Sequence, residues 1–205
     1  PFLRRRGVYM AHAFAVAAQS AVLLSGPSGS GKTTTGLALI EAGWTYLAND
    51  VTLLRHDANG VEALLSPGAI NLHPHTLTLL PAYQDRLTPS DTAKASGKYV
   101  LSRTALLAET QFAAAAPVSA ILFPTIMQQK EPALQRLPRA IGMARLVAEG
   151  VDQWDKQTYE DHLNLLALLS HQVDFFELRL PDSRLAGLMP VTNLLNRQFT
   201  GTSPA

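Results

Sequence analysis

Eight residues, Gly26-Pro27-Ser28-Gly29-Ser30-Gly31-Lys32-Thr33, constrain this chain more than any other stretch. They satisfy G-x-x-x-x-G-K-[ST] without mismatch, follow the apolar run Ala21 to Ser25, and precede a helical pattern that stops at Gly43. A strand feeding a glycine-rich turn that opens a helix is the context in which this motif binds phosphate. Glycines let the backbone curl until successive N–H groups point inward, and the helix behind adds the positive end of its dipole, so a polyphosphate finds donors with little rearrangement. In that frame Gly26, Ser28, Gly29, Ser30, Gly31 and Thr34 surround the phosphates of a nucleotide and Lys32 reaches the β and γ positions. Thr33 offers its hydroxyl to Mg²⁺, which takes oxygen ligands and keeps water and phosphate for the rest.

The remaining composition narrows the partners. A 47% hydrophobic, 16% charged chain of 205 residues holds enough apolar material for a single α/β domain over 1–205. Its net charge of +1 sets up no field that would draw nucleic acid or an anionic membrane. Arg4-Arg5-Arg6 reads as a solvated N-terminal arm. The absence of cysteine excludes a disulfide framework, a thiolate metal site and a cysteine nucleophile. Residues 1–25 imitate a secretory leader, but the apolar run leads straight into the strand before the glycine loop, which argues against cleavage and for a cytoplasmic protein. No apolar run reaches the roughly 18 residues of a membrane helix.

Along the chain, Val8, Met10, His12, Phe14 and Val16 alternate with Tyr9, Ala11, Ala13 and Ala15 as one strand. His12 on that apolar face is either a core histidine or a site residue. Thr33, Gly36, Leu37 and Ile40 give the following helix one packing face. Residues 45–48 and a hairpin over 51–65 read as strands, and Asn49-Asp50 is a polar pair at the first strand's end. Thr76 to Leu80 reads as a short helix. Residues 84–97 form a polar loop long enough to serve as a mobile flap over the nucleotide. Lys98 to Leu101 and Pro117 to Met127 are further strands joined through Ala113 to Ala116, 139–149 and 157–171 are helices, and 173–180 is a late strand. A last helix starts near Asp182 and is kinked or restarted by Pro190. This alternation predicts a mixed sheet flanked by helices. His73-Pro-His75 is a weak metal pair, Asp152, Asp155, Glu160 and Asp161 an acidic helix start, and Trp44 and Trp154 packing residues.

Asp50 lies 18 positions after Lys32, at the end of the next strand in sequence, whereas many phosphate-loop proteins carry the magnesium-orienting acid on a later apolar strand; here Ala120 to Pro124 ends without one. With His12-Ala13 before the loop, Gly26 to Thr34, the Ala42-Gly43-Trp44 helix end and Tyr46-Leu47-Ala48-Asn49-Asp50-Val51, the chain resembles the catalytic domain of HPr kinase/phosphorylase and its shorter serine-kinase relatives. The likeness covers about residues 8–66 and, more loosely, 98–150. It implies an HPr kinase C-terminal-domain-like fold shared with phosphoenolpyruvate carboxykinases, use of ATP and Mg²⁺, and transfer of the γ-phosphoryl to a hydroxyl of a protein or peptide. It implies catalytic roles for Lys32, Asp50, His12 and position 49, with Thr33 and Asp50 on the metal, and it leaves homo-oligomer formation open. The family carries two adjacent aspartates where this chain has Asn49-Asp50, and its arginine near the catalytic acid has only Arg103 as a candidate. Two other readings therefore accompany the kinase: a nucleotide-binding regulatory module that has lost transfer, and a small-metabolite kinase.

Overall fold

The computed structural model describes residues 2–87, 97–107, 110–150, 156–182 and 187–201. Strands β1 (Val8–Ala11), β2 (Ala13–Ala17) and β3 (Ala21–Ser25) lead into helix α1 (Lys32–Glu41), followed by β4 (Thr45–Ala48), β5 (Thr52–Asp57) and β6 (Gly60–Leu64). A small ribbon of β7 (Ile70–Leu72) and β8 (Tyr99–Leu101) brackets helix α2 (Pro74–Leu79). After α3 (Arg103–Leu107) come the long β9 (Ala115–Met127), β10 (Ala133–Leu137), α4 (Arg139–Gly150), α5 (Lys156–Gln172), β11 (Asp174–Pro181) and α6 (Met189–Phe199).

One mixed sheet runs β1-β5-β6-β9-β3-β2-β4, with β11 parallel to β9 and β10 antiparallel to β11. β9 is the organising strand: its first residues pair with β6, its middle with β3, and residues 120–127 with β11. All five residues of β2 and of β3 are buried, as expected of strands covered on both faces. Their period of two divides the core. Phe14, Val16, Val22 and Leu24 join Leu37 and Leu195 from α1 and α6, while Ala13, Ala15, Ala17 and Leu23 join Leu146, Leu165 and Leu169 from α4 and α5.

Several expectations are corrected. The segment 8–16 is two strands, not one, because the chain bends at His12 and changes partners: β1 pairs with β5, β2 with β3 and β4. Arg4 is no solvated arm; it is 5% exposed and its Nη1 donates to Thr158 Oγ1 at 3.5 Å. Ala115 and Ala116 pair with β6 rather than linking strands. β7 and β10 escaped the sequence reading, being three residues long in one case and half-exposed in the other. α2 starts at Pro74, two residues early; the helix expected from near Asp182 falls largely outside the described residues, and a helix starts at Met189 as a restart at Pro190 would have it, with Pro190 in its first turn where a missing N–H costs nothing. Glu160 and Asp161 lie beyond the first turn of α5, and Asp161 acts instead on Tyr9, whose pKa is raised by burial and by that carboxylate. Trp44 packs as expected, 3% exposed, with Nε1 donating to Asn196 Oδ1 at 2.7 Å. Asp152, Trp154, Asp155 and most of the 84–97 loop lie outside the described residues.

The contact between α1 and β2 makes one position diagnostic. Gly36 sits mid-helix, where alanine ordinarily gains about 1 kcal/mol. A Cβ there would lie 2.4 Å from the Phe14 ring, so overpacking reverses the sign. Gly36→Ala is expected to destabilise by about 1–3 kcal/mol in denaturant melts, and the added Phe14→Leu change to recover part of the loss.

Candidate functional site

The sheet brings the site together through strand direction. β2 is antiparallel to both β3 and β4, so β3 and β4 run the same way and end, at Ser25 and Ala48, on one side of the molecule. β9 and β11 run parallel to β3 as well, which adds Ile126 and Leu180 to the same side. His12 arrives there from the opposite direction, immediately before β2, whose Ala13 pairs with Ser25. Clefts beyond the carboxyl ends of parallel strands are where open α/β sheets hold ligands.

Between β3 and α1 the loop uses positive φ at Gly26 (148°), Gly29 (84°) and Gly31 (101°). Gly31 is doubly required, since a Cβ would also lie 2.6 Å from Leu180 Cδ1. α1 has no side-chain N-cap, so its first amides are not satisfied by a cap. Ser30 Oγ is buried and has no hydrogen-bond partner among the described residues. Lys32 is 6% exposed and folds back on the loop, its Nζ donating to Gly26 O at 2.5 Å and to Pro27 O at 3.0 Å. Burial lowers its pKa; Asp50 and Glu149 push the other way and Lys98 adds to the lowering. The loop therefore holds a poorly solvated cation beside an open helix terminus.

Opposite, Asn49 and Asp50 follow β4. Asp50 has φ 58°, the one non-glycine residue with positive φ among those described, and Val51 N donates to Asn49 O at 2.6 Å around it. That is a three-residue turn of the strained, positive-φ kind. Thr52 Oγ1 donates to Ala13 O at 2.8 Å and Ser25 Oγ to His12 O at 3.2 Å, tying this turn and the loop strand to the His12 bend. Asn49 is 7% exposed and its Oδ1 has no hydrogen-bond partner among the described residues. Tyr46, on the same strand, is fully buried, and burial pushes its phenol up to about 12.

A cavity of about 690 Å³ joins these pieces. Of the residues singled out from sequence, His12, Ser28, Gly29, Gly31, Lys32, Thr33, Thr34 and Asp50 line it, whereas Gly26, Ser30 and Asn49 do not. Arg103 does not belong to that wall; it is exposed at the start of α3. The His12 alternatives resolve geometrically: the bend makes it half-buried and turns it to the cavity rather than the core. Sequence reasoning missed Asn71, Lys98 and Ile126 on the facing wall, and considered His73 and His75, also there, only as a metal pair. Among the described residues no three His, Cys, Asp or Glu form a metal cluster. Thr34 Oγ1 lies 2.9 Å from Thr76 Oγ1, which fixes the α2 wall against α1.

Strain at Asp50 yields a measurable asymmetry. Removing the carboxylate by Asp50→Gly relieves the positive φ, whereas Asp50→Ala keeps it, so the alanine variant is expected to be the less stable of the two by about 1–2 kcal/mol in urea unfolding.

No family model matches the chain, and no curated protein matches its sequence. Among solved structures, the Hpr(Ser) kinase/phosphatase from Coxiella burnetii is similar over 94% of this chain and 97% of its own, with 13% identity and a TM-score of 0.48. Likeness at that level transfers no ligand and no activity to this chain.

Proposed function

We propose that the chain is an ATP-dependent phosphotransferase of the HPr-kinase-like type, moving the γ-phosphoryl group to a hydroxyl of a protein or peptide in the cytoplasm. One observation carries the reading: a buried lysine, a glycine loop with an uncapped helix behind it, and a strained aspartate face each other across one cavity large enough for a nucleotide. The orphaned Ser30 Oγ fits a phosphate oxygen as its missing acceptor. Lys32, held against two carbonyls, is the one donor that can leave the loop for the β- and γ-phosphates, and an anionic ligand would offset the burial that lowers its pKa.

A divalent ion fits the same wall. Thr33 and Asp50 supply oxygen, the donor type Mg²⁺ prefers, and the lack of a protein cage among the described residues suits an ion that arrives on the nucleotide. When bound, Mg²⁺ would neutralise charge on the transferring group. The acceptor's proton is left to Asp50 or His12, because the Asn49 amide cannot take one. Phosphoryl transfer through a loose transition state asks little of a base early on, so a site without the second aspartate can still turn over slowly.

The second reading, a nucleotide-binding regulatory module, draws on the same Asn49. Both readings expect Lys32→Ala to weaken ATP binding by about 1.5–3 kcal/mol in calorimetry, the loss of a charge-assisted contact. They part on single-turnover transfer, or on hydrolysis where no acceptor is in hand. For the kinase, Asp50→Ala is near zero, the native chain is slow, and Asn49→Asp is faster, within the roughly 10²–10⁴-fold that general-base help supplies. No turnover in the native chain or in Asn49→Asp, with ATP binding intact, selects the module.

A further inference from the structure

Beside the main cavity opens a second of about 260 Å³, and the two share Gly31, Thr34, His75 and Ile126. The walls differ in kind. Lys32, Asp50, Lys98 and His12 belong to the larger cavity, whereas the smaller is lined by Leu79, Leu180, Pro181, Leu188 and Val191, together with the carboxylate-bearing Asp182. Leu180 and Val191 are buried at 6% and 1%, but Ile126 stands 53% exposed at the junction. Ile126 thus extends the buried apolar wall of the smaller cavity to the rim of the charged one.

We propose that this slot receives the aromatic base of the nucleotide whose phosphates lie on the glycine loop, an inference that rests on the phosphate-binding reading above. Direction along the loop supports it. Lysine in this motif reaches the β and γ positions while the loop amides cradle α and β, so the γ end lies toward Lys32 and Asp50 and the α end away from them. The slot meets the loop through Gly31 and Thr34 and contains neither Lys32 nor Asp50, which places it on the α side. A nucleobase is the part of the nucleotide that gains from leaving water, and it has two apolar faces for such walls. Loop and slot are also in direct contact, since the space for a Gly31 side chain is taken by Leu180. Leu180, Pro181, Leu188 and Val191 thus acquire a role in binding: they select a nucleoside polyphosphate over a bare polyphosphate.

The test compares Mg²⁺-tripolyphosphate with Mg²⁺-ATP by calorimetry on the full chain, on Leu188→Trp, which fills the slot without adding charge, and on Ile126→Ala. The native chain is expected to bind ATP at least about tenfold more tightly than tripolyphosphate, from apolar burial of the base. Leu188→Trp should bring ATP down to the tripolyphosphate value and Ile126→Ala should narrow the gap, and a 2-aminopurine triphosphate should change its fluorescence on binding the native chain but not Leu188→Trp. Equal affinities in the native chain overturn the base slot and leave the phosphate reading standing. Binding of neither ligand overturns the phosphate reading and the slot with it. An ATP advantage that survives Leu188→Trp, or Ile126→Ala should the tryptophan variant not fold, shows that the base lies elsewhere.

Discussion

Everything at the site depends on β2 being hydrogen-bonded on both edges in the antiparallel sense. Because β3 and β4 are its two neighbours, their carboxyl ends fall at one edge of the sheet, and the loop after Ser25 faces the turn after Ala48. A β2 antiparallel to one neighbour and parallel to the other would send Asp50 to the far side from Lys32. The bend at His12 belongs to the same constraint, for it releases the chain from β5 in time for β2 to enter between β3 and β4. Side chains then lock the arrangement locally: Thr52 and Ser25 both donate to backbone carbonyls flanking that bend.

The local energetics of the site run against the folded core's. At the site a lysine is buried with two carbonyls for company, a serine and an asparagine keep unpaired oxygens, an aspartate sits at positive φ, and an isoleucine faces solvent. Each departure costs free energy on the order of 1–3 kcal/mol by itself. Lys32, Asp50 and Ile126 line one cavity, and Ser30 and Asn49 are chain neighbours of residues that do, so an anionic ligand with an apolar end would relieve several of these costs together. Concentration of such costs in one place is what a binding site looks like before its ligand arrives.

Much of this was readable in the residues, and the limits were physical. The glycine loop, α1 and β3 are local in origin, set by short-range apolar pattern and turn chemistry, so the sequence placed them closely. Asp50 was placed by spacing, because one helix and one short strand fill the interval after Lys32. The far wall was not legible. Asn71, His73, His75 and Lys98 lie in or between the two strands of a ribbon whose members pair across almost thirty residues, a long-range contact that no periodicity announces. Arg4 failed for a related reason: three consecutive arginines read as solvated, and only the packing of α5 against that turn reveals that one of them is covered. The slot beside the loop depends on β11 and α6 folding back from the far end of the chain, where no resemblance was recognised.

Asn49 draws the electrostatics and the chemistry apart. The cavity already carries Lys32, Lys98 and three histidines against the single carboxylate of Asp50, with Glu149 acting from a distance. A second carboxylate at position 49 would stand in a nearly dry place, at 7% exposure, where a like charge beside phosphate is repelled strongly. An amide removes that repulsion and still offers hydrogen bonds, so it favours holding a polyphosphate. It also removes a proton acceptor, so it disfavours passing the γ-phosphoryl on. Burial sharpens both effects, because the desolvation that would make an aspartate there a stronger base would make it a worse neighbour for the phosphates. On the proposed kinase reading, tighter nucleotide binding and slower transfer would both follow from the amide at this one buried position, and the balance between kinase and sensor would be set at Asn49 rather than in the glycine loop.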